Sequence, residues 1–408
     1  MNKGEIEYRI GELTHLLSAV KTYMRKGGSF LLNRIAPNGP IMRERNLDYV
    51  HKASWGLYAS GADRAVLSRI MDWVEDKALQ PSGDLYFPEE PPEYRVMQRA
   101  YRPLNILKVA AWIKHGIAEN KLVIDRILQY QHASGGVFNY IGDDPDRVEE
   151  QEWIGPLDTS FFGHLMIALD RRKEAVKAGE WIIRFVRENE KHMKKGLMYT
   201  QMKPKGGLIT NVKPGEKASK TLNNRDPKQY FWQVGTCMAY LCALYDAMRG
   251  SWGYSEADCK RFLDASLTLL RFEETMPIYT YFWPSKCKVG WGAGELVKVL
   301  VKYGGSLDLI ERASRVAEKV AVHTFIENQL PSGGHPCLHY PLTEDAAELR
   351  FDYRPLYGLV NVPDAPIPGS KTIWLPAEEI TGEFLGEMGS IETGLSLQLE
   401  HYRRMMKP

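Results

Sequence analysis

From Lys286 to Pro341 the chain reads helix, glycine turn, helix, glycine-rich loop, and no other stretch constrains the fold as tightly. Periodicity places one helix over 292–303, a turn at Gly304-Gly305 and a second helix over 307–328. The second helix carries Ile310, Ala313, Val316, Ala317 and Val320 on one face and charges on the other. A lone hairpin of this kind leaves two apolar stripes open to water, so it needs copies of itself on either side. Four earlier copies are present. They begin with helices over 47–60 and 64–78, continue with 101–114 and its partner to 130, and then a unit from 157 whose second helix covers 173–191. The fourth runs from 230 to 283. The loop QHASGGVF over 131–138 matches QLPSGGH over 329–335, and QPSGDLYF over 80–87 closes the first copy.

Two helices lack a neighbour in sequence. One covers 5–26, with Ile6, Ile10, Leu13, Leu16, Leu17 and Val20 on one side, and ends at Gly27-Gly28; the other covers 386–404. Together they make a sixth hairpin, and six hairpins closed on themselves form an all-α (α/α)6 toroid, a single domain over 1–408. Six inner helices line a central cavity and six outer helices surround them. An open solenoid would instead carry polar capping repeats at both ends. The irregular, proline-containing segment 342–379 is expected as a lid or wrapping loop within the ring.

Charge and composition narrow the function. Fifty-three Lys and Arg against 51 Asp and Glu give no basic surface for nucleic acid. No apolar run approaches the roughly 20 residues that span a bilayer. The N-terminal stretch, with Glu5, Glu7, Arg9 and Glu12, lacks the apolar core of a signal peptide, so a cytoplasmic location is expected. Cys237, Cys242, Cys259, Cys287 and Cys337 are sparse and odd in number, as free thiols in a reducing compartment would be. No P-loop, GxGxxG, GxSxG or HExxH occurs.

In a closed ring every glycine-rich loop leads into the N-terminus of the next inner helix. One mouth of the cavity therefore gathers helix N-termini, with their unpaired N–H groups, and the aromatic residues of the loops. A small-molecule substrate is expected there, held by Tyr86, Tyr140, Trp232, Tyr281, Trp283 and Trp291; the competing reading is that these rings fill the core between hairpins. Four candidates could carry the chemistry. Asp158, in Leu157-Asp158-Thr159, is either a poised acid or an N-cap. Glu295, in a segment of Gly, Ala, Val and Trp, is either a poised acid or half of a buried pair with Lys or Arg. Cys287, at a helix N-terminus, is a candidate nucleophile, and His335 a candidate assistant. Asp84, Asp352, Glu387, Glu392 and His339 complete the titratable set expected at the mouth. No cofactor is expected; the one metal-like grouping, Cys287, Cys337 and His339, offers a zinc-type donor set without the spacing of a compact zinc motif.

The loops at 131–138 and 329–335, with Leu157-Asp158-Thr159 opening an inner helix, resemble the repeats of terpenoid cyclases and protein prenyltransferase β-subunits. That resemblance implies acid-initiated cyclisation or isomerisation of an isoprenoid in an aromatic cavity, although the Asp-x-Asp-Asp acid motif is absent. Lanthionine-cyclase toroids hold zinc through two Cys and a His, a set that would fall on Cys287, Cys337 and His339. Six-hairpin glycosidases match in length, and the stretch over 228–233, KQYFWQ, is similar to the Trp-rich inner-helix start of N-acylglucosamine 2-epimerases. The expectation is thus proton-driven chemistry on a terpenoid- or polyene-like molecule, with a carbohydrate-active enzyme as the alternative.

Overall fold

The computed structural model describes residues 2–37, 39, 47–89, 99–213, 216–227, 229–341 and 372–407. Segment 342–371 of the expected lid, and Asp352 with it, lie outside the described residues. Twelve helices carry the architecture: α1 Lys3–Leu32, α2 His51–Ala59, α3 Arg64–Ala78, α4 Tyr101–Trp112, α5 Lys121–Gln129, α6 Pro156–Ala168, α7 Arg172–Met193, α8 Trp232–Arg249, α9 Glu256–Glu273, α10 Cys287–Lys302, α11 Leu307–Lys319 and α12 Ala377–Met405. The even-numbered helices pack in the order α2, α4, α6, α8, α10, α12 and back to α2, which closes the inner ring. Helix α1 packs on α12, as α7 packs on α6 and α9 on α8, so the first and last helices make the sixth hairpin of an (α/α)6 toroid.

Sequence composition sorts the two layers. Helix α11 buries Ile310, Ala313, Val316 and Ala317 along one stripe and exposes its charges, as an outer helix does. Helix α6 buries nearly its entire first three turns, including Phe161, Phe162, His164 and Leu165, as an element covered on every side does. The ends differ too. Side chains cap α1 (Asn2), α3 (Asp63), α5 (Asn120), α9 (Ser255) and α11 (Ser306). None caps an inner helix. The six inner N-termini therefore point their positive dipole ends at the mouth without a side-chain cap, although backbone carbonyls take some first-turn donors, Tyr230 that of Gln233 and Phe231 that of Val234.

The closing loops explain their glycines. Gly83, Gly135 and Gly333 have φ of +87°, +101° and +91°, and a Cβ on each would collide with a backbone carbonyl of the following outer helix: Leu122 on α5, Lys177 on α7 and Lys26 on α1. The fifth loop thus grips α1 as the first and second grip α5 and α7. The bridge Leu79 with Leu85, set beside Gln131 with Val137, shows that Gln80 stands one position later than Gln131. Both amides nevertheless bind loop carbonyls, Gln80 to Tyr86 at 2.8 Å and Gln131 to Gly135 at 3.2 Å. A further glycine loop, Lys203 to Gly207, repeats the same hydrogen bonds inside the polar stretch after α7.

Three expected boundaries move. Gly27 and Gly28 lie inside α1, because a Cβ there would stand 2.8 Å from Leu385 and 2.9 Å from Ser60; the pair allows helix crossing and does not break the helix. Helix α10 starts at Cys287 and not at Gly292, and α12 starts at Ala377, inside the stretch expected to be irregular. Two small antiparallel pairs complete the fold: β1 Leu197–Tyr199 with β2 Thr221–Asn223, and β3 Leu338–Pro341 with β4 Thr372–Leu375. No helix among the described residues is long and apolar enough to cross a membrane.

The glycine argument is measurable. Gly135→Ala adds a steric conflict to the unfavourable φ, whereas Gly206→Ala, at φ +108° with nothing within 4 Å of the added methyl, carries only the conformational penalty. Thermal melts should show Gly135→Ala as the more destabilised variant by about 1–3 kcal/mol. Equal losses would remove the close approach as the reason for the motif.

Candidate active site

The inner N-termini converge on a buried stack of charges. Helix α12 presents Glu379, Glu383 and Glu387, four residues apart and therefore on one face. Lys52 of α2 lies 2.7 Å from Glu379 and 3.0 Å from Glu383. Lys288 of α10 pairs with Glu383 and stands 3.7 Å from Glu387. Arg102 of α4 pairs with Asp48 at 3.4 Å. All of these side chains are buried, and each charge would be very costly without its partner.

Protonation follows from the geometry. The Nδ1 of His51 lies 3.0 Å from the Leu47 carbonyl, which places the proton on Nδ1 and leaves Nε2 bare, 3.5 Å from Glu379. Burial, with Lys52 adding to it, keeps His51 neutral. Burial also pushes the Glu379 carboxyl up to about 7, against the opposing pull of Lys52. Glu387 is likewise raised by burial, against the opposing pull of Lys288 and of the Cys287 thiol.

Below this stack the axis is aromatic. Trp55, Phe161, His164 and Trp291 interlock, with Trp55 and Trp291 centroids 5.0 Å apart and His164 stacked on Trp291 at 4.7 Å. Lys108 of α4 enters this box. Its Nζ is 3.7 Å from the Trp55 ring centre, 4.8 Å from Phe161, 5.2 Å from Trp112 and 5.3 Å from Trp291. It has no hydrogen-bond partner among the described residues. A desolvated cation–π contact is worth about 2 kcal/mol, whereas an ammonium stripped of water and left without a counter-ion is penalised by several kcal/mol at the least. The neutral amine wins, and the Lys108 equilibrium is driven well below the usual lysine range by burial.

Asp158 stands on the opposite wall, since α6 and α12 are three places apart in a ring of six. It is the third residue of α6 and lies one turn above Phe161; the N-cap is Gly155, so the capping role expected of Asp158 falls away. Its Oδ1 is buried without a partner, and burial pushes the carboxyl up to about 7.

The other sequence candidates separate. Cys287 reaches the axis, yet burial and the neighbouring Glu387 push its thiol well above the usual range, the reverse of an activated nucleophile. Glu295 lies more than two turns into α10 and pairs with Lys298 at 2.9 Å, the structural reading. His335 is drawn between the layers: it meets the Tyr23 hydroxyl at 2.7 Å, and burial takes it down to about 3. Tyr281 sits beside the separate buried pair Lys286–Glu273 and not on the axis. Tyr86 lies under the Arg99 guanidinium at 3.8 Å, Tyr140 is half-buried, Trp232 stacks on Tyr230 at 4.3 Å, and Trp283 is buried. Asp84 belongs to a structural network with Arg126 at 2.8 Å and Tyr130 at 3.0 Å.

Among the described residues the three-donor grouping is Cys287, Glu383 and Glu387, with ligand atoms within 4.8 Å of one another, and not Cys287, Cys337 and His339. The Lys288 ammonium pairs with both carboxylates and supplies the positive charge that an ion would bring. Lys52, Lys108 and Lys288 escaped the sequence reading. Their signal was a lysine at an inward position of a helix otherwise built of apolar and small residues.

No protein-family model matches the chain, and no curated protein sequence matches it. Among solved structures, it is similar to a family 76 glycoside hydrolase from a bovine Bacteroides thetaiotaomicron strain, with TM-score 0.48 and 12% identity over 91% of this chain and 77% of that one. It is similar also to a polysaccharide lyase, with TM-score 0.48 and 12% identity over 95% and 98%. The expectation of terpenoid or polyene cyclisation is overturned. The mouth is a stack of ion pairs where an isoprenoid would need apolar walls.

The raised Asp158 carboxyl makes stability depend on pH. Between 3.8 and about 7 the folded chain holds a proton that the unfolded chain has released. Stability is therefore lost as pH rises through that window, by about 1.4 kcal/mol per unit for this group. Asp158→Asn removes the effect. Its stability relative to the parent chain should climb from pH 4 to pH 7 and level off above, measured by denaturant unfolding; a pH-independent difference would show that Asp158 titrates normally.

Proposed function

We propose that this chain is a carbohydrate-active enzyme that works by acid–base chemistry at the mouth of its ring. One observation carries the reading: carboxyl groups whose protonation equilibria lie near neutrality stand on opposite walls of one axis, Asp158 on α6 and Glu379 on α12. A transformation that gives a proton to one face of a sugar and takes one from the other needs that pair. The positive ends of the inner helices and the Lys52 and Lys288 ammonium groups suit hydroxyl and developing oxyanion groups, and the aromatic floor of Trp55, Phe161 and Trp291 suits the C–H face of a sugar ring. That floor closes the axis a few turns down. The site therefore favours a monosaccharide, or the terminal unit of a chain, over a polymer threaded through the ring.

In this scheme Asp158 and Glu379 exchange roles as acid and base. Lys52 holds Glu379 and Glu383 in place, and Lys288 pairs with Glu383 from the other side. The test is a panel of aldoses, N-acetylhexosamines, glycosides and uronate oligosaccharides incubated in deuterated water and followed by NMR. Deuterium at the carbon beside the carbonyl, a new anomeric signal or an unsaturated uronate would each register turnover and name its class. Asp158→Asn and Glu379→Gln should each lower the rate about 10²–10⁴-fold while the protein stays folded. Full activity in both variants would end the assignment of these carboxyls, and terpenoid substrates are not part of the scheme.

A further inference from the structure

Every other cation described on the axis has a carboxylate: Lys52 has Glu379 and Glu383, Lys288 has Glu383 and Glu387, and Arg102 has Asp48. Lys108 has four aromatic rings and no acceptor. An amine in that setting keeps its lone pair. Lys108 itself is fully buried, although Trp112, one turn further along α4 and also beside its amine, is 37% exposed and packs on the exposed Tyr58 ring at 5.0 Å. The carboxyl whose charge reaches it is Glu387, the deepest of the α12 stripe. A nucleophile and an aromatic floor meet at one level of the axis, with a carboxyl group close enough to act on the amine's charge.

We infer that Lys108 is an imine-forming amine that captures the carbonyl carbon of an open-chain reducing sugar. The inference rests on the carbohydrate reading above and narrows its substrate to a sugar with a free aldehyde or ketone. The Nζ lone pair attacks the carbonyl carbon, and the oxygen takes a proton to give a carbinolamine. Glu387 in its acid form protonates the hydroxyl, which leaves as water while the nitrogen lone pair forms the C=N bond. The resulting iminium returns a proton to the Glu387 carboxylate, so no oxidant or reductant is needed. Before that proton returns, the iminium acidifies the neighbouring C–H, which is the proton an acid–base pair across the axis could remove. The bland account is that Lys108 is a packing residue whose stem fills the box and whose amine does nothing. It predicts no covalent capture.

The experiment traps the intermediate on the intact wild-type protein. D-Mannose, D-glucose and N-acetyl-D-glucosamine are each supplied with sodium cyanoborodeuteride at neutral pH, in parallel with formaldehyde as a small carbonyl probe, and labelled peptides are located by mass spectrometry. The expected result is a reduced, deuterated sugar adduct on Lys108 at least ten times more abundant than on Lys121, whose side chain is 87% exposed. Lys108→Arg should lose that adduct, and Lys108→Met should lose it too, which provides a second variant if the larger side chain disturbs the fold. Formaldehyde labelling of Lys108 without a sugar adduct overturns sugar capture, and turnover in the isotope panel would then leave the carbohydrate reading standing without it. Labelling of surface lysines alone, by either probe, overturns the assignment of Lys108 as a nucleophile.

Discussion

The close approach of the inner helices governs the rest of the molecule. Where α2 crosses α12, Gly56 meets Gly382 so closely that a methyl on Gly56 would stand 2.5 Å from the Gly382 carbonyl oxygen. Glycines in α8 and α10 allow the same intimacy on the other side of the ring. Among the described residues, a ring this tight brings the polar side chains that line it into contact with one another. That one constraint explains the paired lysines and glutamates, the neutrality of His51 and the upward drift of Asp158 and Glu379. It explains Lys108 as well, the one described axial cation for which the sequence supplies rings in place of a carboxylate.

Capping divides the labour between the layers. Outer helices satisfy their own first turns with Asn2, Asp63, Asn120, Ser255 and Ser306. Inner helices carry no such side-chain cap. The positive ends of the inner helices thus favour carboxylates at the mouth, while the depth of burial disfavours them. Acidic groups held between those two tendencies titrate near neutrality, where a proton can be given and taken back.

Much of this was legible in the chain. The hairpin count, the two unpaired helices and the repeated Ser-Gly-Gly loops define the closed ring, because each records a local turn or an amphipathic period. The sites were harder. Gly27-Gly28 reads as a break, and only the distant Leu385 and Ser60 show why the helix runs through it. The glutamates at 379, 383 and 387 repeat every fourth residue, a helical signal, but the first two fall in a stretch whose prolines suggest an irregular segment. His335 and Tyr281 carry suitable chemistry and sit in loops that close hairpins, yet packing turns both away from the axis. Whether a side chain faces the lumen or the space between layers depends on helix rotation, which single-chain periodicity leaves open when a helix is buried on all sides.

Ring closure also sets an order of events. Helix α1 is held by groups that lie far along the chain: Arg9 binds Glu311 at 2.9 Å and also Glu318, across a separation of about 300 residues, and Tyr23 meets His335. During synthesis, α1 emerges long before α11 and α12 exist. Its apolar stripe of Leu13, Leu17 and Val20 therefore stays uncovered while five hairpins assemble behind it. Of the twelve helices of the ring, the first to be made finds its main partners only when the last has been synthesised.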